Sequence, residues 1–458
     1  MPATLAVLNP ADGTTVAHVA DSGAADARRA ADKAVAAFDS WRHTTAYQRA
    51  DVLRRWHALI APRTEELAQL MTAEMGKPIS ESRGEMKYAN AFIDWYANEA
   101  LRVYGTTVPS QFPHKRLLVS KQPVGPVYAI TPWNFPAAMV TRKAAPALAA
   151  GCTLVLKPAE QSPLTAVRLG ELWLEAGGPP DVFQVLTTSD PVATTSVFMA
   201  DARIRKITFT GSTEVGKSLY AQSAATMKRL SLELGGHAPF LVFADADLDA
   251  AVRDVMAAKF RNTGQTCVCP NRLLVDASIA PDFLERLGAA VRALRVGPPQ
   301  EDATQIGPLI DEAGHRKVIE HVSDATAKGA RLITGGHALD GLYFEPTVLA
   351  DVRAGMRILE EETFGPVAPV LTFTSEADAI AQANDTPYGL AAYLSTRDLS
   401  RAFRVSEALD YGIVGVNDGV PSTAQAPFGG FKNSGIGREG GLWGIEEYLE
   451  VKYTSFAL

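Results

Sequence analysis

The sequence contains few cysteines, no apolar run long enough to span a bilayer and no excess of basic residues. Its three cysteines among 458 residues exclude a disulfide framework and favour a reducing compartment. The longest apolar stretch, residues 144–156, is broken by Pro146 and Gly151 and is too short for a membrane span. The N-terminus has no basic segment followed by an apolar core, so no signal peptide is predicted. We expect a cytoplasmic protein that does not bind membranes.

The charge and the metal-ligating residues exclude two further classes of function. The formal net charge is −7 at pH 7, whereas nucleic-acid-binding proteins usually present a basic face. The eight histidines and three cysteines show no ligand spacing, so neither a metal site nor a nucleic-acid partner is predicted. A composition with 47% hydrophobic and 21% charged residues is that of a globular protein. Because 458 residues exceed one ordinary hydrophobic core, two or three domains are expected.

The hydrophobic periodicity changes along the chain. Residues 23–38, 49–75 and 83–102 carry apolar side chains at helical spacing. Further on, short apolar runs alternate with helical segments, first up to "KITFTG" and again from Pro239. This alternation is typical of βαβ units around parallel sheets. We therefore predict two α/β domains that meet near Gly235–Gly236.

Two strand-like segments have no partner nearby in the sequence. They are residues 103–121 and the C-terminal residues 445–458, which end in "EVKYTSFAL". Two such strands can form a small projecting sheet, and an exposed strand edge readily pairs with another chain. We expect this sheet to be a contact between copies of the chain.

The stretch "TGSTEVGKS" matches the G-x-x-x-x-G-K-S pattern of nucleotide-triphosphate loops. A β-branched run precedes it, and the later "PFLVFADAD" offers Asp245 as a magnesium ligand. The third variable position, however, is Glu214, an anion between β-branched neighbours, where such loops usually have glycine. We interpret the match as coincidental and keep a P-loop NTPase as the most distant alternative.

Several single residues suggest chemistry without establishing it. Cys267 follows a predicted turn, where a thiol can be activated, although free cysteines are more often buried packing. Cys269, two residues on, points the same way in an extended chain. Glu233 ends an alternating strand, either as a solvent-facing residue or as a carboxylate directed into a cleft. Asn134 precedes a helix that Pro136 can begin, either as a cap or as an amide donor to an oxyanion.

Taken together, these segments resemble one family over essentially the whole chain. The matching motifs, in order, are "TPWNFP", "KPAE", "FTGSTEVGK", "LELGG", "GQTC", "EETFGP" and "PFGG". They are similar to those of the aldehyde dehydrogenase superfamily, and "GQTCVC" with "PFGGFKNSGIGREGG" is most similar to its succinate-semialdehyde dehydrogenase branch. The resemblance implies an α/β fold with a Rossmann-type NAD(P)-binding domain, a catalytic domain and a small β flap for oligomerisation. It also implies a homodimer or homotetramer assembled through this flap.

The resemblance also divides the chain. Residues 1–102 and 122–234 would form the NAD(P)-binding domain, residues 235–444 the catalytic domain, and residues 103–121 and 445–458 the oligomerisation strands. The G-K-S stretch then becomes a strand-to-helix turn, where the helix N-terminus would hold a dinucleotide pyrophosphate.

The resemblance implies roles for the catalytic candidates. Cys267 would attack the aldehyde as a thiolate, and the Asn134 amide with the Cys267 N–H would hold the resulting oxyanion. Hydride transfer to the nicotinamide would leave a thioester, for whose hydrolysis Glu233 would activate water as general base. The presence of Glu233 favours a free carboxylic acid over a coenzyme A ester as product. The pair of Cys267 and Cys269 resembles the cysteine pair proposed as a redox switch in some members of the family. By this resemblance, Cys269 would be the redox partner of Cys267.

The expected cofactor is a nicotinamide dinucleotide, without a metal. By the resemblance its site comprises Trp133, Lys157, Glu160, Gly211, Ser212, Glu362 and Phe364. Lys157 would bond the adenosine ribose and Glu362 the nicotinamide ribose, unless Lys157 is merely a surface charge. A carboxylate at Glu160 accepts from a ribose 2′-OH but repels a 2′-phosphate, so NAD is predicted over NADP, with NADP still usable.

Three positions match the residues that bind the far carboxylate of the substrate in succinate-semialdehyde dehydrogenases: Arg142, Arg261 and Ser422. Two arginines in an apolar-walled cleft would be unfavourable without an anion to pair with them. The alternative is a structural salt bridge for each arginine. The resemblance thus predicts oxidation of succinate semialdehyde to succinate, with glutarate semialdehyde or a general aldehyde as alternative substrates.

Overall fold

The computed structural model describes residues 3–458 as helices packed on four β-sheets. The strands are β1 (Thr4–Leu8), β2 (Thr15–Ala20), β3 (Thr106–Val108), β4 (Lys115–Pro123), β5 (Val127–Ile130), β6 (Leu154–Lys157), β7 (Phe183–Val185), β8 (Lys206–Thr210), β9 (Arg229–Glu233), β10 (Ala238–Val242), β11 (Pro270–Asp276), β12 (Arg331–Thr334), β13 (Thr347–Ala350), β14 (Val367–Phe373), β15 (Ala391–Ser395), β16 (Ile413–Val416), β17 (Gly435–Ile436) and β18 (Leu449–Ala457). The helices are α1 (Ala24–Trp41), α2 (Ala46–Ile60), α3 (Thr64–Met75), α4 (Ile79–Glu99), α5 (Ala138–Ala150), α6 (Leu164–Glu175), α7 (Pro191–Ala200), α8 (Thr213–Ser223), α9 (Leu248–Lys259), α10 (Ala280–Arg292), α11 (Glu312–Ala327), α12 (Glu376–Asn384), α13 (Leu399–Ala408) and α14 (Gly441–Glu446).

The predicted helix over residues 49–75 is two helices in the structure. A 3₁₀ turn, Ala61–Arg63, separates α2 from α3. Pro62 lies in this turn, and because proline has no N–H it cannot continue the hydrogen-bond ladder of α2. Within residues 3–458, no helix is both long enough and apolar enough to cross a membrane.

The first large sheet has the strand order β17-β9-β8-β5-β6-β7. Strands β5 to β9 are parallel, and β17 adds to the edge in antiparallel orientation. Because β5 is central, with β6 and β7 on one side and β8 and β9 on the other, the order is that of a Rossmann-type half. A crevice is expected where the order reverses, beyond the carboxyl ends of β5 and β8, and this end of the sheet carries the residues described below.

The second large sheet has the order β12-β13-β14-β11-β10-β15-β16. Only β12 is antiparallel to its neighbour. The central strands read as continuous apolar runs, for example "APFLV" in β10, because both faces are covered. The chain passes from the first sheet to the second between β9 and β10, through Gly235 and Gly236.

The two strand segments without a partner nearby in the sequence pair with each other. Strands β18, β4 and β3 form an antiparallel sheet, with Leu449 opposite Pro123 and Ala457 opposite Lys115. Large apolar side chains on β18 are exposed, among them Val451 at 68%. Assembly of copies through this sheet stays a prediction.

The structure contradicts the P-loop alternative. Strand β8 ends at Thr210 and α8 begins at Thr213, so only two residues separate strand from helix. Gly216 and Lys217 lie inside the helix, and no loop is left to wrap a phosphate. Asp245 accepts hydrogen bonds from the Thr396 hydroxyl and from neighbouring backbone N–H groups, as a turn residue does.

Candidate active site

Cys267 follows a sharp reversal of the chain between α9 and β11. Asn262, Thr263 and Gly264 have φ of 52°, 56° and 74°, so three successive residues adopt the left-handed conformation. For residues with a Cβ this conformation is strained and persists only where the surroundings impose it. Here the Asn262 N–H donates to Glu81 (2.6 Å) and the Thr263 hydroxyl donates to the Gly307 carbonyl (3.2 Å).

The thiol of Cys267 lies where two cavities meet. One cavity, of about 300 Å³, contains both predicted arginines and is called the arginine cavity. Its wall includes Glu81, Tyr88, Arg142, Arg261, Thr266, Cys267, Ser422 and Phe428. The other, of about 260 Å³, is called the Glu362 cavity. Its wall includes Trp133, Asn134, Gly211, Ser212, Gly235, Cys267, Lys317, Glu362 and Phe364.

Asn134 does not cap the following helix. Helix α5 begins at Ala138 rather than at Pro136, and its first N–H groups are bound by the Glu85 carboxylate. The Asn134 side-chain nitrogen donates to the Gln265 carbonyl (3.1 Å), and its second N–H remains for another acceptor. The backbone carbonyl of Asn134 accepts from Lys77 (2.8 Å), which fixes the residue beside Cys267.

Glu233 is buried, with 3% of its surface exposed, so the solvent-facing interpretation is wrong. Strand β17 adds to the sheet edge beside it, with Gly435 paired with Glu233 through the backbone. A Cβ on Gly429 would lie 2.8 Å from the Glu233 carboxylate, so glycine is needed there to make room for it. Burial and the nearby charge of Glu439 raise the pKa of Glu233 well above its ordinary value. One carboxylate oxygen has no partner within residues 3–458.

Burial raises the pKa of Cys267 to about 12, while the charges of Arg142 and Arg261 act in the opposite direction. Burial thus favours the neutral thiol, whereas the two arginine charges favour the thiolate. Gly236 allows the chain to pass behind this residue, because a Cβ there would lie 2.3 Å from the Cys267 carbonyl oxygen.

The segment from Cys267 to Cys269 is a turn and is not extended as expected. The Cys269 N–H donates to the Thr266 carbonyl (3.1 Å), and the buried Cys269 thiol donates to the Lys259 carbonyl (3.3 Å). The two thiols consequently need not point the same way. A redox pair of Cys267 and Cys269 stays a prediction.

The Glu362 cavity carries a carboxylate with spare acceptor capacity. Glu362 accepts one long hydrogen bond, from the Gly236 N–H (3.3 Å), and burial raises its pKa to about 7. Phe364 packs edge-on against Trp133, with the ring centroids 5.4 Å apart. Ser212 caps α8 by accepting from the Val215 N–H (3.3 Å). Ribose hydroxyls could donate to Glu362, so the wall fits a nicotinamide riboside.

Lys157 ends β6, the strand next to β5, and Glu160 follows it; neither residue is in the wall of either cavity. The buried Lys157 ammonium forms an ion pair with Glu160, whose side chain is 32% exposed. Lys157 is thus not the surface charge of the alternative interpretation. Both residues lie at the carboxyl end of the sheet, beyond which ligands bind in open α/β folds.

The two arginines differ in their environment. Arg142 is buried, lies 2.7 Å from the Glu439 carboxylate and rests 3.9 Å from the centroid of the Phe428 ring. The structural salt bridge considered as the alternative is therefore present for Arg142. Arg261 has a buried Nε without a hydrogen-bond partner and makes no ion pair within residues 3–458. Its guanidinium lies 5.5 Å from the centroid of the Phe135 ring, inside the arginine cavity.

Several residues in the walls of the two cavities were not identified from the sequence. Glu81 and Tyr88 lie on α4, and Lys317 lies on α11. Behind the wall, Glu439 binds Lys143 and Arg142 from a distant loop. The helical spacing of residues 81, 85 and 88 marks one face of α4 but does not distinguish a cavity from solvent.

The comparisons with known proteins agree with this geometry. The model of the aldehyde dehydrogenase family matches residues 2–454. The NADP(+) succinate-semialdehyde dehydrogenase of Escherichia coli is 54% identical, over 99% of this chain and 94% of that protein. A glutarate-semialdehyde dehydrogenase of Pseudomonas aeruginosa (52%) and a 3-sulfolactaldehyde dehydrogenase of Pseudomonas putida (53%) each match over 98% of this chain and 93% of their own.

A crystal structure of an NADP-dependent E. coli enzyme superposes with a TM-score of 0.98 at 53% identity, covering 100% of this chain and 95% of that one. The predicted fold class and NAD(P)-dependent aldehyde chemistry are confirmed at this level. With the family model matching almost the whole chain and Cys267 in the wall of both cavities, the chain belongs to the aldehyde dehydrogenase family.

Proposed function

We propose that the protein oxidises succinate semialdehyde to succinate. The observation that carries this proposal is that Arg261, whose guanidinium makes no ion pair within the described residues 3–458, shares the arginine cavity with Cys267. A positive charge in an apolar-walled cavity is unfavourable unless an anion arrives with the ligand. An aldehyde with a carboxylate at its far end would place that anion near Arg261 while its carbonyl reaches Cys267.

The names of the relatives support an anionic tail. Succinate semialdehyde and glutarate semialdehyde carry a carboxylate, and 3-sulfolactaldehyde carries a sulfonate. The cavity of about 300 Å³ suits a short chain, and glutarate semialdehyde, one methylene longer, is the second candidate. One methylene changes binding in such a pocket only by about 1–3 kcal/mol, so both can be turned over.

The residues that surround the thiol support a two-stage reaction. Cys267 attacks the aldehyde carbon, and the free N–H of the Asn134 amide holds the oxygen that becomes negative. Glu233, with an unpaired carboxylate oxygen, takes a proton from water that attacks the thioester on Cys267, which releases the acid. Each turnover must begin with Cys267 as an unoxidised thiol, which favours a reducing, cytoplasmic location. A nicotinamide dinucleotide bound in the Glu362 cavity would supply the hydride acceptor needed between these stages.

We infer that the bound dinucleotide would lie along Glu362, Phe364 and Trp133, with its pyrophosphate at the N-terminus of α8 near Ser212. Glu160 supports NAD over NADP, because its carboxylate would repel a 2′-phosphate. The E. coli relative is named as an NADP(+) enzyme, and its name therefore does not support a preference for NAD. The proposed preference for NAD rests on Glu160 alone.

Replacing Arg261 by glutamine should lower kcat/KM for succinate semialdehyde roughly 100-fold, because a buried charge pair with the substrate is lost. Turnover of butanal, which has no anion, should stay within about twofold because the tail interaction contributes nothing to it. Cofactor reduction followed by absorbance measures both rates. Arg253→Gln, an exposed arginine on α9, is the matched control. Equal turnover of butanal and succinate semialdehyde by the unmodified protein would contradict the proposed substrate.

Replacing Glu160 by glutamine should raise kcat/KM for NADP relative to NAD by roughly tenfold, since one repulsive charge near the 2′-phosphate is removed. The measurement is the ratio of initial rates with the two cofactors at saturating aldehyde. Glu407→Gln, at an exposed glutamate on α13, should leave the ratio unchanged. An unmodified protein that prefers NADP, with no change in the Glu160 variant, would contradict the assignment.

A further inference from the structure

Tyr88 is a cavity-lining polar residue that the mechanism leaves unused. It projects from α4 into the wall of the arginine cavity, together with Arg142, Arg261 and Ser422. Its hydroxyl oxygen is buried and has no hydrogen-bond partner within residues 3–458. Because a buried hydroxyl without a partner is unfavourable, its retention beside a ligand cavity points to a partner that arrives with the ligand.

The surroundings of Tyr88 define what this partner must be. The ring packs edge-on against Phe92, with centroids 4.9 Å apart, and the Arg142 guanidinium lies 5.8 Å from the same Phe92 ring. The charges of Arg142 and Arg261 both act on the Tyr88 hydroxyl. Burial raises the pKa of Tyr88 against the opposing effect of these two charges, so the phenol keeps its proton and can donate. A neutral donor in a positive field favours an anionic acceptor.

The other polar groups on the α4 side of the wall are less suited to donate a hydrogen bond to an anionic ligand. Glu85 is already occupied by Lys77 and by the first N–H groups of α5. Glu81 accepts from the Asn262 N–H, and as a carboxylate it offers an anionic substrate no hydrogen when ionised. Burial raises the pKa of Glu81 to about 7, so this carboxyl loses its proton within the neutral range. On this side of the cavity, Tyr88 is therefore the group that keeps a hydrogen for a carboxylate across that range.

We propose that the Tyr88 hydroxyl donates a hydrogen bond to the anionic end group of the substrate, alongside Arg261, and so helps to determine specificity for an anionic tail. The inference rests on the proposed function, since it names a further residue for the same substrate. It assigns Tyr88 to ground-state binding of the tail, away from the reacting carbon, and therefore concerns KM more than kcat.

The test is Tyr88→Phe, which removes one oxygen atom and keeps the ring against Phe92. We expect KM for succinate semialdehyde to rise roughly 10-fold to 100-fold, the range for a lost hydrogen bond to a charged group, with kcat within about twofold. Kinetics with butanal should not change. The melting temperature should not fall, because the deleted hydroxyl has no partner in the free protein.

A matched control lies on the same helix. Tyr96→Phe also removes a buried hydroxyl, but Tyr96 is not in the wall of the arginine cavity, so both aldehydes should react as before. The inference is overturned if Tyr88→Phe keeps KM for succinate semialdehyde, or if it impairs butanal equally, as a structural role would. Failure of the proposed function looks different, because the unmodified protein would then show no preference for succinate semialdehyde over butanal.

Discussion

Replacement of Cys267 by alanine should lower aldehyde oxidation by roughly 10⁴-fold or more, because loss of the nucleophile removes the covalent route altogether. The thiol is the group common to the arginine cavity and the Glu362 cavity that can attack a carbonyl carbon. The oxyanion donor at Asn134 would remain in place but would have no tetrahedral intermediate to stabilise. Absorbance of the reduced cofactor with saturating succinate semialdehyde measures the loss, with the limit set by background oxidation.

The matched control for this prediction is Cys269→Ala. Cys269 is buried and donates to the Lys259 carbonyl, so its removal leaves the reacting thiol intact and activity should stay within a few-fold. Mass spectrometry of protein mixed with aldehyde and cofactor should find a covalent adduct on Cys267 in the control variant and none in the alanine variant. A Cys267→Ala protein with more than a few per cent of the original rate would show that another group is the nucleophile.

The sheets could be predicted from the sequence because their strands depend on local patterns. Short apolar runs separated by glycine and proline predicted the βαβ units, and two segments without neighbours predicted a separate small sheet, which β18 and β4 form. The strand order and the addition of β17 to the first sheet depend on contacts between residues about 200 positions apart. Periodicity carries no information about such contacts.

The candidate site could likewise be predicted only in part. The motifs brought Cys267, Asn134 and Glu362 into one hypothesis, and the structure places them around one cavity. The burial of Glu233 was not predictable, because alternation in β9 gives its face and not what covers that face. The pairing of Arg142 with Glu439 joins residues almost 300 positions apart, so the sequence could not separate a substrate-binding arginine from a paired one.

Tyr88 could not be identified as a candidate site residue from the sequence. The spacing of residues 81, 85 and 88 is that of any helix face, and an aromatic on such a face is usually core packing. What marks this residue is a buried hydroxyl without a partner beside a cavity, which is a property of the three-dimensional arrangement alone.

Replacement of Glu233 by glutamine should separate the two stages of the reaction. We expect one equivalent of cofactor to be reduced per active site, followed by a steady-state rate roughly 10²-fold to 10⁴-fold below that of the unmodified protein, because the amide cannot take a proton from water. Rapid-mixing absorbance resolves the first turnover from the later ones. Denaturation during the slow phase should trap the acyl group on Cys267, which mass spectrometry detects as a mass increase.

The pH dependence gives an independent test of Glu233. A general base must be ionised, and burial together with the charge of Glu439 raises the pKa of this carboxyl. The steady-state rate of the unmodified protein should therefore fall as the pH drops through this raised pKa, well above the range of an exposed glutamate. In Glu233→Gln that acid limb should be absent, while Glu407→Gln should keep it. If the glutamine variant loses the first turnover as well, Glu233 acts before the thioester forms, and its assignment to hydrolysis is wrong.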